Sequence, residues 1–206
     1  MKIGILGGSF NPSHKGHVDI VCHMSKTLQL SLVLFMVAKC SPFKVGKTNI
    51  SFKDRYNLLS LLLDYYKKNG INYLQPSDFE LSFQQDVVYT VEVLKKFKEE
   101  YPNDEIYFIM GQDSFDNIHK YKDHEWLLNK ENICIIVYGR VGYDNTINKE
   151  NYDNVIFMDN LPINDISSTE IREILEKENY NNKRLNDCLI EEQIKYIKEN
   201  GLYTNN

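Results

Sequence analysis

His14 and His17 set two imidazoles three residues apart, directly after Gly7-Gly8-Ser9-Phe10-Asn11-Pro12, with Lys15 and Gly16 between them. That spacing puts both rings on one side of a first helical turn, where an imidazole can meet phosphoryl oxygens as a cation or hydrogen-bond donor. Neither ring has to be a nucleophile. The glycines imply a turn that lets a bulky anion approach the chain, and the amides at a helix start carry partial positive charge. A nucleoside triphosphate suits such a place. Taken alone, a His-x-x-His pair also fits a metal site or two surface histidines, since His23, His119 and His124 make the residue common here.

A second anion-ready helix start lies far along the chain, in Ile166-Ser167-Ser168-Thr169-Glu170-Ile171-Arg172. Ser167 reads as the N-cap, and Glu170, three residues on, as its capping-box partner. The hydroxyls of Ser168 and Thr169 flank the helix amides, and Arg172 lies one turn after Ser168 on the same face. A capped surface helix with a solvated arginine is the plain alternative. A third place, Gly111-Gln112-Asp113, ends an apolar strand: its glycine clears space, and Asp113 fits either a ribose hydroxyl or an N-cap.

These residues need a scaffold of alternating strands and helices. Lys2–Leu6 reads as a buried strand, and the apolar positions His17, Ile20, Val21, Met24 and Leu28 read as the helix after it. Strands follow at Leu32–Val37, Asn72–Leu74, Ile106–Met110, Asn132–Tyr138 and Val155–Met158. Helices fall at Ser51–Lys68, Thr90–Glu100 and Ile190–Asn200, the last stopped by Gly201. Such alternation predicts an α/β fold, an open parallel Rossmann-like sheet with helices on both faces, and a small C-terminal helical part. The 206 residues suit a single domain spanning 1–206. Between the second strand and second helix, a loop carries Pro42, Lys44, Gly46 and Lys47; 145–154 is polar enough to be an insert.

A net charge of −5 argues against a nonspecific nucleic-acid surface and leaves small anionic substrates as partners. Cys22, Cys40, Cys134 and Cys188 show no metal-type or paired spacing, no apolar signal core opens the chain, and no run reaches membrane-spanning length. Reduced thiols in the cytoplasm, without membrane attachment, are the expectation. Self-association is left open.

The first motif resembles the signature of the nucleotidylyltransferase superfamily, and Ile-Ser-Ser-Thr-x-Ile-Arg its second signature. From Met1 to Tyr203 the chain is similar to the bacterial-type nicotinate or nicotinamide mononucleotide adenylyltransferases. Ser41-Pro42-Phe43-Lys44 stands where that family has Pro-Pro-His-Lys, and Val88-Tyr89-Thr90 where it has Ser-Tyr-Thr; Tyr121 takes the place of its pyridine-stacking tryptophan, while Trp126 reads as core. The resemblance implies adenylyl transfer from ATP to nicotinate mononucleotide in NAD biosynthesis. Nicotinamide mononucleotide as main or second substrate, or a phosphopantetheine adenylyltransferase, are the alternatives. His14, His17, Lys44 and Arg172 would be catalytic. Gly7, Gly8, Ser9, Phe10, Gly111, Asp113, Ile166, Ser167, Ser168 and Thr169 would contact ATP. Asn11, Lys44, Arg55, Tyr89, Thr90, Tyr121 and Arg140 would hold the pyridine mononucleotide, although Arg55 also reads as a helix-surface charge. Mg²⁺ would travel on the ATP phosphates, with no protein cage.

Overall fold

The computed structural model describes residues 1–39, 50–139, 152–159, 161, 166–177 and 180–204. Lys44, Phe43 and Arg140 lie outside them, as does most of the polar stretch that begins at 145. In chain order the elements are β1 (Lys2–Gly8), α1 (Lys15–Leu28), β2 (Leu32–Val37), α2 (Phe52–Lys68), β3 (Leu74–Ser77), α3 (Thr90–Glu100) and β4 (Glu105–Gly111). There follow α4 (Gln112–Phe115), α5 (His124–Leu127), β5 (Cys134–Tyr138), β6 (Val155–Met158), α6 (Ser168–Glu176), α7 (Lys183–Cys188) and α8 (Glu191–Glu199).

All six strands are parallel, in the order β3-β2-β1-β4-β5-β6. The chain winds outward from β1 to β3 and then returns to β4 on the other side of β1. That reversal splays the loops after β1 and β4 apart and opens a crevice at the carboxyl ends of the strands. Both anion-ready glycine segments, at Gly7-Gly8 and Gly111, end at this edge.

Side chains alternate across the sheet, as the period of two in a strand requires. Val33, Phe35 and Val37 face a core with Val18, Val21 and Met24 of α1 and Leu59 and Leu62 of α2. Ile3, Ile5, Ile106, Phe108 and Ile135 face a second core with Val91, Leu94 and Phe97 of α3 and Leu127 of α5. Trp126 packs half-buried at the margin of this second core, under the Lys95 ammonium. A third, smaller core joins Leu58 of α2 to Ile171, Leu175, Leu185 and Ile197 of the C-terminal helices.

Several boundaries differ from expectation for local reasons. The first strand does not stop at Leu6. It runs through both glycines, because Gly7 and Gly8 pair with Met36 and Val37 of β2. The third strand starts at Leu74 and includes Pro76, which an edge strand tolerates because its missing N–H faces no partner. Asn154, expected in a polar insert, is buried; its amide donates to the carbonyls of Leu127 and Ile133 at 2.9 and 3.1 Å.

Among the polar ties between the C-terminal helices and the sheet domain, one is fully buried. Gln193 of α8 is 0% exposed, and its Nε2 lies 3.0 Å from the Ser13 carbonyl, 3.1 Å from Ser13 Oγ and 3.0 Å from the Leu58 carbonyl. Replacing it with leucine roughly keeps its volume but takes a donor from the Ser13 carbonyl and an acceptor from the buried Ile190 N–H, which reaches Gln193 Oε1 at 3.3 Å. Gln193→Leu is expected to lower unfolding free energy by about 2 kcal/mol or more, read from the urea midpoint. An unchanged midpoint would show that water replaces the amide without loss.

Candidate active site

The loop from Ser9 to His14 is where the two sequence motifs meet. Arg172 Nη1 donates to the Asn11 carbonyl at 2.7 Å, and Ser168 Oγ to the Pro12 carbonyl at 2.9 Å. Two further donors come from elsewhere: Arg55 Nη1 reaches the Ser9 carbonyl at 2.7 Å, and Gln193 the Ser13 carbonyl. Tyr203 Oη donates to Asn11 Oδ1 at 2.8 Å, and burial pushes its phenol well up, which keeps it a donor. With these carbonyl oxygens engaged, fewer of the loop's own negative dipole ends are left to face an incoming anion.

The positive φ expected of a glycine falls on Phe10 instead, at 46°. This left-handed backbone is unfavourable for a residue with a side chain, and it persists where packing over-determines it. Here the buried Phe10 ring lies edge-on to His17 at 5.1 Å and tilted against Phe35 at 5.8 Å. Gly7 and Gly8 have no positive φ. A Cβ on Gly8 would sit 3.2 Å from the Phe10 ring, so this glycine makes room for that side chain.

His14 is the N-cap of α1 and is buried; His17 is in the first turn, and the ring centroids are 3.7 Å apart. The His14 N–H donates to His17 Nδ1 at 3.2 Å. A nitrogen that accepts carries no proton, so neutral His17 bears its hydrogen on Nε2. Gly16 separates this turn from α6: a Cβ there would lie 3.1 Å from His14 Nδ1 and 3.3 Å from Ile166 Cβ. The imidazoles therefore share one corner with Ile166, Ser168 and Arg172.

The second motif is capped as expected on one side only. Ser167 Oγ accepts from the Glu170 N–H at 3.1 Å, but the Glu170 carboxylate turns away to Arg184, whose Nε is 2.8 Å from Oε1. That guanidinium holds the Glu170 carboxyl below the usual range. A two-point ionic hydrogen bond outcompetes reach-back to a single amide. Thr169 Oγ1 accepts from Arg172 Nη2 at 3.1 Å and so aims the guanidinium.

Arg55 is not a surface charge. It is 4% exposed and bridges the ends of β1 and β2 through the carbonyls of Ser9 and Lys39. Beside it opens a cavity of about 770 Å³ at the carboxyl edge of the sheet, a size suited to a cofactor-sized ligand. Gly7, Gly8, Ser9, Gly111, Asp113, Tyr89, Thr90 and Tyr121 line it. Asn11, Phe10, His14, His17, Arg55, Arg172 and the 166–169 segment do not; they form the adjoining corner beyond Ser9. A Cβ on Gly111 would come within 2.6 Å of Asp113 Oδ1, so a side chain there would displace that carboxylate. Tyr121 is half-buried, and burial pushes its phenol up, leaving a neutral ring against the cavity. Tyr89 caps α3 with the Lys122 ammonium 4.6 Å above its ring.

Sequence reasoning missed Glu80, Gln112 and Tyr138, which also line the cavity, and Gln193, which braces the loop. Gln112 and Tyr138 were detectable as neighbours of Gly111 on adjoining strand ends. Glu80 and Gln193 carried no local signal. For the imidazole corner, nitrogen-15 shifts of neutral His17 are expected to show Nε2 protonated and Nδ1 bare. A protonated Nδ1 would break the assigned contact with His14.

Residues 5–174 match the cytidylyltransferase-like family model. The chain is 34% identical over 203 residues to a "Probable nicotinate-nucleotide adenylyltransferase" of Flavobacterium psychrophilum, covering 98% of this chain and 99% of that protein. A protein of the same name from Clostridium tetani is 30% identical over 210 residues, with 98% of each covered. In fold, the structure superimposes on the Plasmodium falciparum nicotinic acid mononucleotide adenylyltransferase complexed with NaAD at a TM-score of 0.80, with 22% identity over 98% of this chain and 97% of that one. With its two signatures folded onto one loop and full-length relatives at this identity, the chain belongs to the nicotinate-nucleotide adenylyltransferases of the cytidylyltransferase-like family.

Proposed function

We propose that this enzyme transfers the adenylyl group of ATP to nicotinate mononucleotide, giving nicotinate adenine dinucleotide and pyrophosphate, a step of NAD biosynthesis. The observation that carries this reading is the junction of the two motifs, with Arg172 and Ser168 bonded to the loop that leads into His14 and His17. In the reaction an oxygen of the mononucleotide phosphate attacks the α-phosphorus in line. A new P–O bond forms as the bond to the bridging oxygen breaks, and pyrophosphate leaves with the electron pair. No side chain has to be covalently modified; alignment and charge neutralisation suffice.

In this proposal His14, His17, Lys44 and Arg172 are the catalytic donors. His17 offers Nε2–H to a phosphoryl oxygen, and the N-terminal amides of α1 add their partial positive charge. Gly7 to Phe10, Gly111, Asp113 and Ile166 to Thr169 take the ATP, with Asp113 at a ribose. Asn11, Lys44, Arg55, Tyr89, Thr90, Tyr121 and Arg140 serve the mononucleotide; Arg55 does so by holding Ser9 and Lys39 in place. The whole span, 1–206, works as one unit, because α8 and Tyr203 complete the loop.

Magnesium supplies neutralisation of the triphosphate oxygens when bound. Among the described residues, no group of three or more His, Cys, Asp and Glu side chains is arranged to hold a metal ion. In this proposal the ion is carried by phosphate oxygens and water. Among those same residues no helix is long and apolar enough to cross a membrane.

His17→Ala is expected to lower kcat by about 10²- to 10³-fold with the fold retained; turnover within about tenfold of the parent would remove His17 from the mechanism. A substrate panel tests the acceptor. Pyrophosphate release from ATP should be fastest with nicotinate mononucleotide, slower with nicotinamide mononucleotide and negligible with phosphopantetheine. Preference for the amide, or for phosphopantetheine, would replace the substrate named here.

A further inference from the structure

Glu80 is a buried carboxylate, 8% exposed, in the 3₁₀ turn Phe79–Ser82 that follows β3, and it lines the central cavity. Its Oε2 accepts the Lys39 backbone N–H at 2.7 Å. The Lys39 carbonyl in turn accepts from Arg55 Nη2 at 3.3 Å, and the same guanidinium holds Ser9. One residue earlier, the Ala38 N–H bonds to the Gly8 carbonyl at 2.9 Å. Lys39 is therefore gripped through both its amide and its carbonyl just where β2 leaves the sheet beside the glycine edge of β1. Its ammonium reaches across to the carbonyls of Phe83 and Gln85, at 3.4 and 3.1 Å, and to the Asp86 carboxylate at 3.7 Å. That segment leads directly into Tyr89 and Thr90.

We propose that Glu80 is a positioning residue for the mononucleotide side of the reaction, acting through Lys39 to hold the end of β2 and the approach to Tyr89 and Thr90 in register. This rests on the adenylyl-transfer reading and names a residue that reading does not use. A carboxylate grips an amide more firmly than a neutral acid does, and its charge also attracts Arg55. Burial pushes the Glu80 carboxyl up to about 7, against the smaller downward pull of the Lys39 amide and Arg55. Other charged groups around it are the Lys39 ammonium, Asp86, which is paired with Lys39, Asp78 at the start of the same turn, and Asp113, Lys120 and Lys122, which line the same cavity. The positioning charge is thus switched on as pH rises through neutrality. Stability runs the opposite way. With its folded-state value raised above the ordinary carboxylate range, the group favours the folded state at acid pH, and this contribution is lost as pH climbs towards and through about 7.

The test compares the full chain with Glu80→Gln and Glu80→Ala, using ATP and nicotinate mononucleotide. Glu80→Ala should raise KM for the mononucleotide by about tenfold while KM for ATP stays within about twofold. Glu80→Gln, nearly isosteric, keeps an acceptor for the Lys39 amide but cannot ionise. Its kcat/KM for the mononucleotide, divided by the parent's, should fall about fivefold between pH 6 and pH 8. Taking the ratio cancels titrations common to both proteins. Its melting temperature relative to the parent should rise over the same range. A constant ratio across pH, or equal changes in both KM values and kcat, would overturn the positioning role. Should Glu80→Ala not fold, the glutamine variant alone decides. If the parent itself releases no pyrophosphate with nicotinate mononucleotide, the proposed function fails first and this role falls with it.

Discussion

The site depends on the way the backbone carbonyls between Ser9 and His14 are held by side chains from outside the loop. Arg55 from α2, Ser168 and Arg172 from α6 and Gln193 from α8 each take one of them, while Tyr203 takes the Asn11 side chain. A connection of this kind, with Phe10 in a left-handed backbone, would not keep its shape on its own contacts. The surrounding donors settle its shape and at the same time occupy the oxygens that would repel a phosphate. Most of them are cationic or buried, so each bond is stronger than its counterpart at the surface.

Two regions of different character result from this frame. The cavity between Gly111 and Thr90 is apolar in its depth and bordered by aromatic rings, suited to flat bases and to shape. The corner of His14, His17 and Arg172 is made of donors, suited to charge. Ser9 lies between them, lining the cavity on one side and, through Arg55, belonging to the loop on the other. A reaction that joins two nucleotides through their phosphates needs such a division, with bases held apart and phosphates brought together.

Much of this was legible in the sequence because it is local. The alternation of apolar runs with capped helices foretold the parallel sheet, and short-range spacing foretold the starts of α1 and α6, because three residues along a helix must share a face. What escaped notice depended on distance. Glu80 has nothing in Asp78-Phe79-Glu80 to mark it as buried; its role exists only because β2 and β3 are neighbours. Gln193 looks like any polar residue of an amphipathic helix until α8 meets Ser13 and Leu58. Arg55 could be read as solvated because helical periodicity says which face is buried but not what an inward cation will meet. Glu170 went wrong in the same way, since the pull of Arg184 lies outside the capping pattern.

The bond between Tyr203 and Asn11 spans 192 positions of the chain. During synthesis the sheet can form and its glycine edge can be built long before that tyrosine emerges, yet the loop stays unfinished until it does. Completion of this loop is thus deferred until residue 203 has been made. Cutting the chain ahead of residue 203 would spare every strand and leave the loop short of one of its ties.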